Sequence, residues 1–186
     1  MTGIAPDAQA FHVLVLGGQR SGKSRFAEKL VAENGERPFY IATCTAGDNE
    51  MADRIAAHRL RRGDEWTTIE EPLQLAAAIE RAAGEGTAIL VDCLSLWLSN
   101  LIEAGRQVDE ESAALCGALA SVAVPVVIVS NEVGSGIIPA NALARRYADA
   151  LGTLNQSVAA SVGRVVFMAA GLPLVVKPSQ LPEIKL

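Results

Sequence analysis

Aromatic residues are scarce in this chain of 186 residues, at 4%, so aliphatic and small side chains must fill whatever core it has. Cysteine is rarer still: Cys44, Cys93 and Cys116 are odd in number, widely spaced and never in a C-x-x-C pair. That excludes a disulfide framework and a zinc ribbon or finger, and free thiols suit a reducing cytoplasm. No long apolar run exists; the longest, Val122 to Val129, is interrupted by Pro125 and is far too short to span a bilayer. The first ten residues lack a basic start followed by an apolar stretch, so no signal peptide is expected. Net positive charge is lacking too. A formal charge of −5 excludes the overall basic footprint of a nucleic-acid binder, while leaving room for a local patch.

What is present is a chain with 50% hydrophobic and 20% charged residues, the balance of a folded globular domain. Its length suits one domain over 1–186, with loose tails at 1–10 and 178–186. Short apolar runs predict strands at His12–Leu16, Phe39–Thr43, Trp66–Ile69, Ala88–Val91, Val126–Val129, Arg164–Ala169 and Leu174–Val176. Between them, helical spacing predicts helices over Ser24–Glu33, Glu50–Arg62, Leu73–Ala83, Leu94–Glu103, Glu110–Ala123 and Asn141–Ser161, the last open to interruption at Gly152. The strands are continuously apolar, not alternating. They therefore belong to a mostly parallel sheet with helices on both faces, a three-layer α/β fold.

The first strand runs into Gly17-Gly18-Gln19-Arg20-Ser21-Gly22-Lys23-Ser24 and a helix follows, the strand–loop–helix context of a phosphate-binding P-loop. Glycine lets the backbone take torsions and approaches that a Cβ would block, so successive N–H groups converge on phosphate oxygens at a helix N-terminus. Lys23 is expected to lie exposed at the loop and to reach the β- and γ-phosphates of ATP or GTP, with Ser24 offering its hydroxyl to Mg²⁺. Asp92 closes the strand Ala88-Ile89-Leu90-Val91, which places it at the ligand edge of a parallel sheet as the natural partner of Ser24 in holding Mg²⁺. The bland alternative for Asp92 is an N-cap of the following helix.

Only two histidines occur. His12 opens the first strand and reads as structural. His58 shares a helix face with Arg54, Arg61 and Arg62 at three- and four-residue steps, and Arg59 flanks it. Such a cationic face attracts an anion and lowers an imidazole pKa, and a neutral imidazole can attack phosphorus to form a phosphoramidate. A solvated basic helix face is the plainer alternative. Glu132, after the strand ending at Val129, reads equally as a turn residue or as a substrate contact.

Several segments, in order along the chain, resemble one family. They are Gly17 to Ser24 followed by Arg25; Tyr40-Ile41-Ala42-Thr43; Arg54-Ile55 with His58-Arg59; Trp66 to Pro72; Asp92-Cys93-Leu94 with Trp97, Asn100 and Leu101; Asn131-Glu132-Val133-Gly134-Ser135-Gly136-Ile137-Ile138-Pro139; and Asp149, Gly152, Asn155 and Gln156. From about His12 to Lys177 the chain is similar to the bifunctional adenosylcobinamide kinases / adenosylcobinamide-phosphate guanylyltransferases of cobalamin synthesis. The resemblance implies a P-loop NTPase-type fold, a homotrimer and two reactions. ATP or GTP phosphorylates the aminopropanol hydroxyl of the corrinoid adenosylcobinamide. GTP then gives its GMP to that phosphate through a guanylylated histidine, releasing pyrophosphate. It also implies that His58 is the nucleophile and that Arg59, Arg61, Arg62, Glu70 and Asp92 line the guanine nucleotide site, with Ala42, Thr43 and Cys44 beside the nucleotide. One departure is Ala148, before Asp149, where the family usually has arginine; Arg145 or Arg146 is the available substitute. A small-molecule kinase without nucleotidyl transfer explains Lys23, Ser24 and Asp92 but leaves His58 and its arginines idle. A non-catalytic nucleotide switch leaves more idle still.

Overall fold

The aliphatic run Val13-Leu14-Val15-Leu16 has no polar side chain to offer water on either face, so it belongs inside a sheet. A computed structural model, which describes residues 8–33, 36–44 and 65–178, places it there. Seven strands form one sheet: β1 (Val13–Gly17), β2 (Pro38–Ala42), β3 (Thr67–Glu70), β4 (Ala88–Asp92), β5 (Val126–Val129), β6 (Arg164–Ala169) and β7 (Leu172–Lys177). Their order is β3-β2-β4-β5-β1-β6-β7. Every neighbouring pair is parallel except β6 and β7.

The helices are α1 (Lys23–Ala32), α2 (Leu75–Ala83), α3 (Leu94–Glu103), α4 (Val108–Ser121) and α5 (Ala142–Ser161). Successive strand residues face opposite ways, and β4 shows the consequence. Ile89 and Val91 join a large core with Leu75 and Ile79 of α2, Leu98 of α3 and Leu119 of α4. Ala88 and Leu90 join a second core with Ala27 and Val31 of α1. Among the described helices, α1 therefore covers one face and the other four cover the opposite face, giving the three layers expected.

Differences from the sequence reading lie at element ends. β7 begins at Leu172, not Leu174, because Ala170 (φ 51°) and Gly171 (φ 82°) make a two-residue turn of the hairpin type, which needs positive φ at both positions. α2 starts at Leu75, not Leu73: the Glu71 carboxylate accepts the N–H groups of Leu73 and Gln74 in the turn before it, at 3.0 and 2.8 Å. α4 starts two residues earlier and stops two earlier than expected. α5 passes Gly152 unbroken, held by the buried Leu151, Leu154 and Val158. Ala8–Phe11, overlapping the end of the tail expected at 1–10, forms a short 3-10 turn against α4. The expected helix Glu50–Arg62 lies outside the described residues.

His12 is structural. It is fully buried, its Nε2 lies 2.8 Å from the Leu119 carbonyl, and its Nδ1 accepts the Val126 N–H at 3.2 Å. Since Nδ1 accepts, Nε2 carries the proton and donates to Leu119. The ring thereby ties the start of β1 to α4 and β5.

Candidate active site

Parallel strands that start together finish together, so β1, β2, β3, β4 and β5 present Gly17, Ala42, Glu70, Asp92 and Val129 along one edge of the sheet. The P-loop leaves β1 at that edge. Gly17 has φ 151°, and a Cβ there would meet the Met168 carbonyl at 2.6 Å. Gly22 has φ 96° and is the N-cap of α1, so the helix N-terminus opens onto the loop. Between them Arg20 takes φ 56°, a left-handed conformation that costs a side-chain-bearing residue about 1–2 kcal/mol and reshapes the loop tip. The β6–β7 turn props the loop from behind, with Gly171 N–H donating to the Ser21 carbonyl at 3.0 Å.

Lys23 is not exposed as expected. It is only 7% accessible, because the chain folds back under its own loop and Nζ donates to the Gly18 carbonyl at 2.7 Å. Burial lowers its pKa below the usual lysine value, while Cys93 and Asp92 act in the opposite direction. Burial, and next the Asp92 charge, push the Cys93 thiol up to about 11, so the thiol is neutral at pH 7. Asp92 is then the negative charge that Lys23 feels.

A web of hydrogen bonds fixes this edge. Thr43, fully buried, donates its hydroxyl to the Cys93 carbonyl at 2.7 Å and accepts the Cys93 N–H at 2.8 Å, joining the ends of β2 and β4. Asn100 Nδ2 donates to the Thr43 and Pro72 carbonyls at 2.7 and 3.1 Å, and Trp97 Nε1 donates to Leu73 at 2.8 Å. From α5, Tyr147 donates to the Ser95 carbonyl and Asn155 to the Asn131 carbonyl, at 2.8 and 3.1 Å. The Ser95 hydroxyl accepts the Asn131 N–H at 2.9 Å, and Glu132 N–H donates to Gly17 at 3.0 Å. The turn from Asp92 into α3, the exit of β5 and the P-loop are thus one hydrogen-bonded unit.

The structure brings Gly17 to Ser24, Ala42, Thr43, Cys44, Glu70 and Asp92 to one edge of the sheet. Ser24 sits half-buried in the first turn of α1, and Glu70 is exposed at the end of β3. His58, Arg54, Arg59, Arg61 and Arg62 lie outside the described residues. Glu132 is a turn residue here: its carboxylate accepts the N–H groups of Gly134 and Ser135 at 2.7 and 3.2 Å. Its pKa is lowered, first by a hydrogen bond to the Ser135 side chain. Arg145 is engaged with the Pro139 and Ala140 carbonyls, at 2.9 and 2.6 Å. Asp149 stands exposed on α5. The buried hydroxyls of Ser21, expected in the phosphate loop, and of Ser130, which the sequence reading missed, find no hydrogen-bond partner among the described residues. For Ser130 the one available signal is a polar residue directly after three buried valines and an isoleucine.

The chain is similar in sequence to known proteins. A family profile described as cobinamide kinase / cobinamide phosphate guanyltransferase matches residues 13–176. The bifunctional adenosylcobalamin biosynthesis protein CobP of Pseudomonas aeruginosa is 49% identical over 170 residues, covering 90% of this chain and 98% of its own. The bifunctional adenosylcobalamin biosynthesis protein CobU of Escherichia coli is 34% identical over 180 residues, covering 89% and 99%. Two solved structures are similar in fold alone. A KaiC-like protein of Pyrococcus horikoshii has TM-score 0.54 at 16% identity, covering 86% of this chain and 71% of its own. The flagellar accessory protein FlaH of Methanocaldococcus jannaschii has TM-score 0.51 at 14% identity, covering 91% and 79%. By the extent of the profile match and the identity to its relatives, this chain belongs to the cobinamide kinase / cobinamide phosphate guanyltransferase family.

Proposed function

We propose that the chain phosphorylates the aminopropanol hydroxyl of adenosylcobinamide with ATP or GTP, then transfers GMP from GTP to the new phosphate. The observation that carries the first half is Lys23, buried beside Asp92 under a glycine loop at a helix N-terminus. A cation held short of water is one that a triphosphate satisfies. Transfer of the γ-phosphoryl group needs an acceptor hydroxyl in line and charge on the equatorial oxygens neutralised. The loop N–H groups and Lys23 supply that charge. One carboxylate, Asp92, and one hydroxyl, Ser24, suit Mg²⁺, which keeps water and substrate phosphates in its shell and needs few protein ligands. When bound, the ion draws charge from the transferring phosphoryl oxygens.

The second half rests on His58 and its arginines. The imidazole attacks the α-phosphorus of GTP, a P–N bond forms, the bond from the α-phosphorus to its bridging oxygen breaks, and pyrophosphate leaves. The phosphate of adenosylcobinamide phosphate then displaces the histidine, giving the GDP-linked corrinoid. Arg59, Arg61 and Arg62 balance the leaving charge. Membership of this family, free thiols and an acidic chain support a cytoplasmic enzyme, and the resemblance supports a homotrimer. No helix among the described residues is long and apolar enough to cross a membrane.

Incubation with GTP labelled at the α-phosphate tests the reading. Wild-type protein is expected to take up label that survives base and is lost in acid, as phosphoramidates are. His58→Ala should take up none and make no GDP-linked product, yet keep most of its ATP-dependent phosphorylation of adenosylcobinamide. Labelling that persists in His58→Ala puts the nucleophile elsewhere. A wild-type enzyme that phosphorylates but never labels is a kinase without the covalent step.

A further inference from the structure

Arg20 sits in the tip of the phosphate loop. Ser21 N–H donates to the Gly18 carbonyl at 3.3 Å, closing a turn over Gly18, Gln19, Arg20 and Ser21. Arg20 fills the third position of that turn with φ 56°, a torsion that suits glycine. The left-handed torsion has a use, because it turns neighbouring backbone N–H groups toward one side and makes a nest for an anion. Glycine gives that torsion without strain, so the backbone geometry does not account for an arginine here. What arginine adds is its head group.

That head group is uncommitted. Arg20 is exposed, and its guanidinium makes no hydrogen bond or ion pair among the described residues. Arg106, by contrast, is paired with Glu111, and Arg145 is bonded to the Pro139 and Ala140 carbonyls. The loop's other cation is Lys23, and the Gly18 carbonyl that closes the turn also accepts its Nζ, at 2.7 Å. The turn that bears Arg20 therefore touches the buried ammonium. One cation lies under the loop beside Asp92, and the other stands on its solvent side.

The two positions suit different moments of phosphoryl transfer. A buried, pre-set charge such as Lys23 meets the triphosphate in its ground state. A long exposed side chain loses rotamer freedom when it is held, so it adds little to ground-state binding. Its use is where charge appears during the reaction. In the kinase step the acceptor hydroxyl oxygen bonds to the γ-phosphorus, and the bond from that phosphorus to the β–γ bridging oxygen breaks. The electron pair of that bond stays on the departing nucleoside diphosphate, and the hydroxyl proton passes to water. Charge thus appears on the bridging oxygen, and a guanidinium can give two parallel N–H bonds to neighbouring phosphate oxygens. We infer that Arg20 is a catalytic residue of the kinase step: its guanidinium folds over the loop tip onto the β–γ bridging oxygen and the γ-phosphate and neutralises the leaving diphosphate. This rests on the kinase reading above and adds a residue that acts in the transition state.

The test compares wild type with Arg20→Gly and Arg20→Lys at saturating adenosylcobinamide. The glycine variant should melt no lower than wild type, since it takes the positive φ freely, so a loss of activity is not a loss of fold. Its kcat should fall by about 10² or more, with Kd for ATP within about threefold of wild type. Lysine keeps the charge but not the planar fork, and should retain less than about a tenth of the wild-type kcat. Millimolar guanidinium should restore part of the glycine variant's turnover and leave wild type unchanged. A second readout needs no acceptor: with ADP and Mg²⁺, aluminium fluoride stands in for the moving phosphoryl group. Wild type should hold ADP at least about tenfold tighter once it is added, and Arg20→Gly should gain nothing. A glycine variant with wild-type kcat overturns the assignment. So does a loss confined to ATP affinity, or an aluminium fluoride gain that is absent from wild type or equal in both proteins. A wild-type protein that shows the gain, loses it in Arg20→Gly and yet never phosphorylates adenosylcobinamide defeats the kinase reading for that acceptor and leaves Arg20 standing.

Discussion

Lys23 holds an ammonium group where little water reaches it, and that position has a thermodynamic sign. Its folded pKa lies below the unfolded value, chiefly through burial. The charged form is therefore penalised in the folded protein. The penalty is complete at pH values below the folded pKa and fades as pH rises toward the unfolded lysine value. A triphosphate relieves it by supplying countercharge, so nucleotide and Lys23 stabilise each other. Lys23→Met keeps the buried stem and removes the charge. At pH 7 the nucleotide-free variant should melt no lower than wild type, and any advantage should shrink as pH rises toward the ordinary lysine range. Kinase turnover should fall by about 10² or more, and most of the thermal shift given by ATP should vanish. Scanning calorimetry at pH 7 and pH 9.5, with and without ATP, checks all of this. A variant that melts several degrees lower without nucleotide would make the bond to Gly18 structural and the burial incidental.

At the scale of elements, α5 shows what holds the far end of the fold. Helices leave their last carbonyls without partners, and α5 ends at Ser161 without a left-handed glycine cap, since Gly163 does not take a positive φ. Lys177, at the end of β7, fills the need: Nζ donates to the carbonyls of Ala159, Ala160 and Val162 at 2.8, 3.3 and 2.6 Å. A cation at a helix C-terminus also meets the negative end of the helix dipole. Lys177→Met should cost about 1–2 kcal/mol, a fall in melting temperature of roughly 3–6 °C, with kinase kinetics unchanged at low temperature. A melt that stays put would mean that water caps those carbonyls as well as lysine does. The aliphatic runs that make β1, β4 and β5, and the glycines and lysine of the P-loop, were legible because their signals are local. Burial of a strand shows in its own residues, and a phosphate loop shows in its own spacing. Lys177 on α5, Asn155 on Asn131 and Asn100 on Thr43 were not legible as pairs, because their partners lie 15 to 57 residues away in sequence. Nor was the burial of Lys23, since a motif fixes where a residue sits along the chain and not how its side chain lies. Ala170 at φ 51° was hidden for a related reason: alanine gives no hint of a left-handed turn, and only the pairing of β6 with β7 imposes one.

The whole molecule has two sheet edges of different character. β3 carries Thr67, Thr68 and Glu70 and offers water a polar border. β7 offers Leu172 at 71% exposure, Leu174 at 63%, and Val175 and Val176 at 51% and 50%. An apolar edge strand left open pairs with whatever reaches it, and proteins protect such edges with charge, bulges or a covering partner. β7 has Pro173 and an irregular register near Val165, which discourage strand-to-strand growth, but its side chains remain greasy. The stable outcome for such a face is a closed contact with another copy of the chain, which buries the leucines once and leaves no free edge to propagate. The homotrimer proposed above needs a face of this kind. Leu172 and Leu174 are two apart, so they share one side of the strand. Leu172→Glu/Leu174→Glu places two carboxylates on that side without replacing any residue of the P-loop or of the Lys177 cap. Light scattering on wild type at micromolar concentration should give three times the 19.5 kDa chain mass, and on the variant one times that mass. The variant should keep its far-ultraviolet circular dichroism, because these side chains contribute little to either core. A wild-type chain that scatters as a single subunit removes the proposed trimer; a variant that stays trimeric moves the contact to another face.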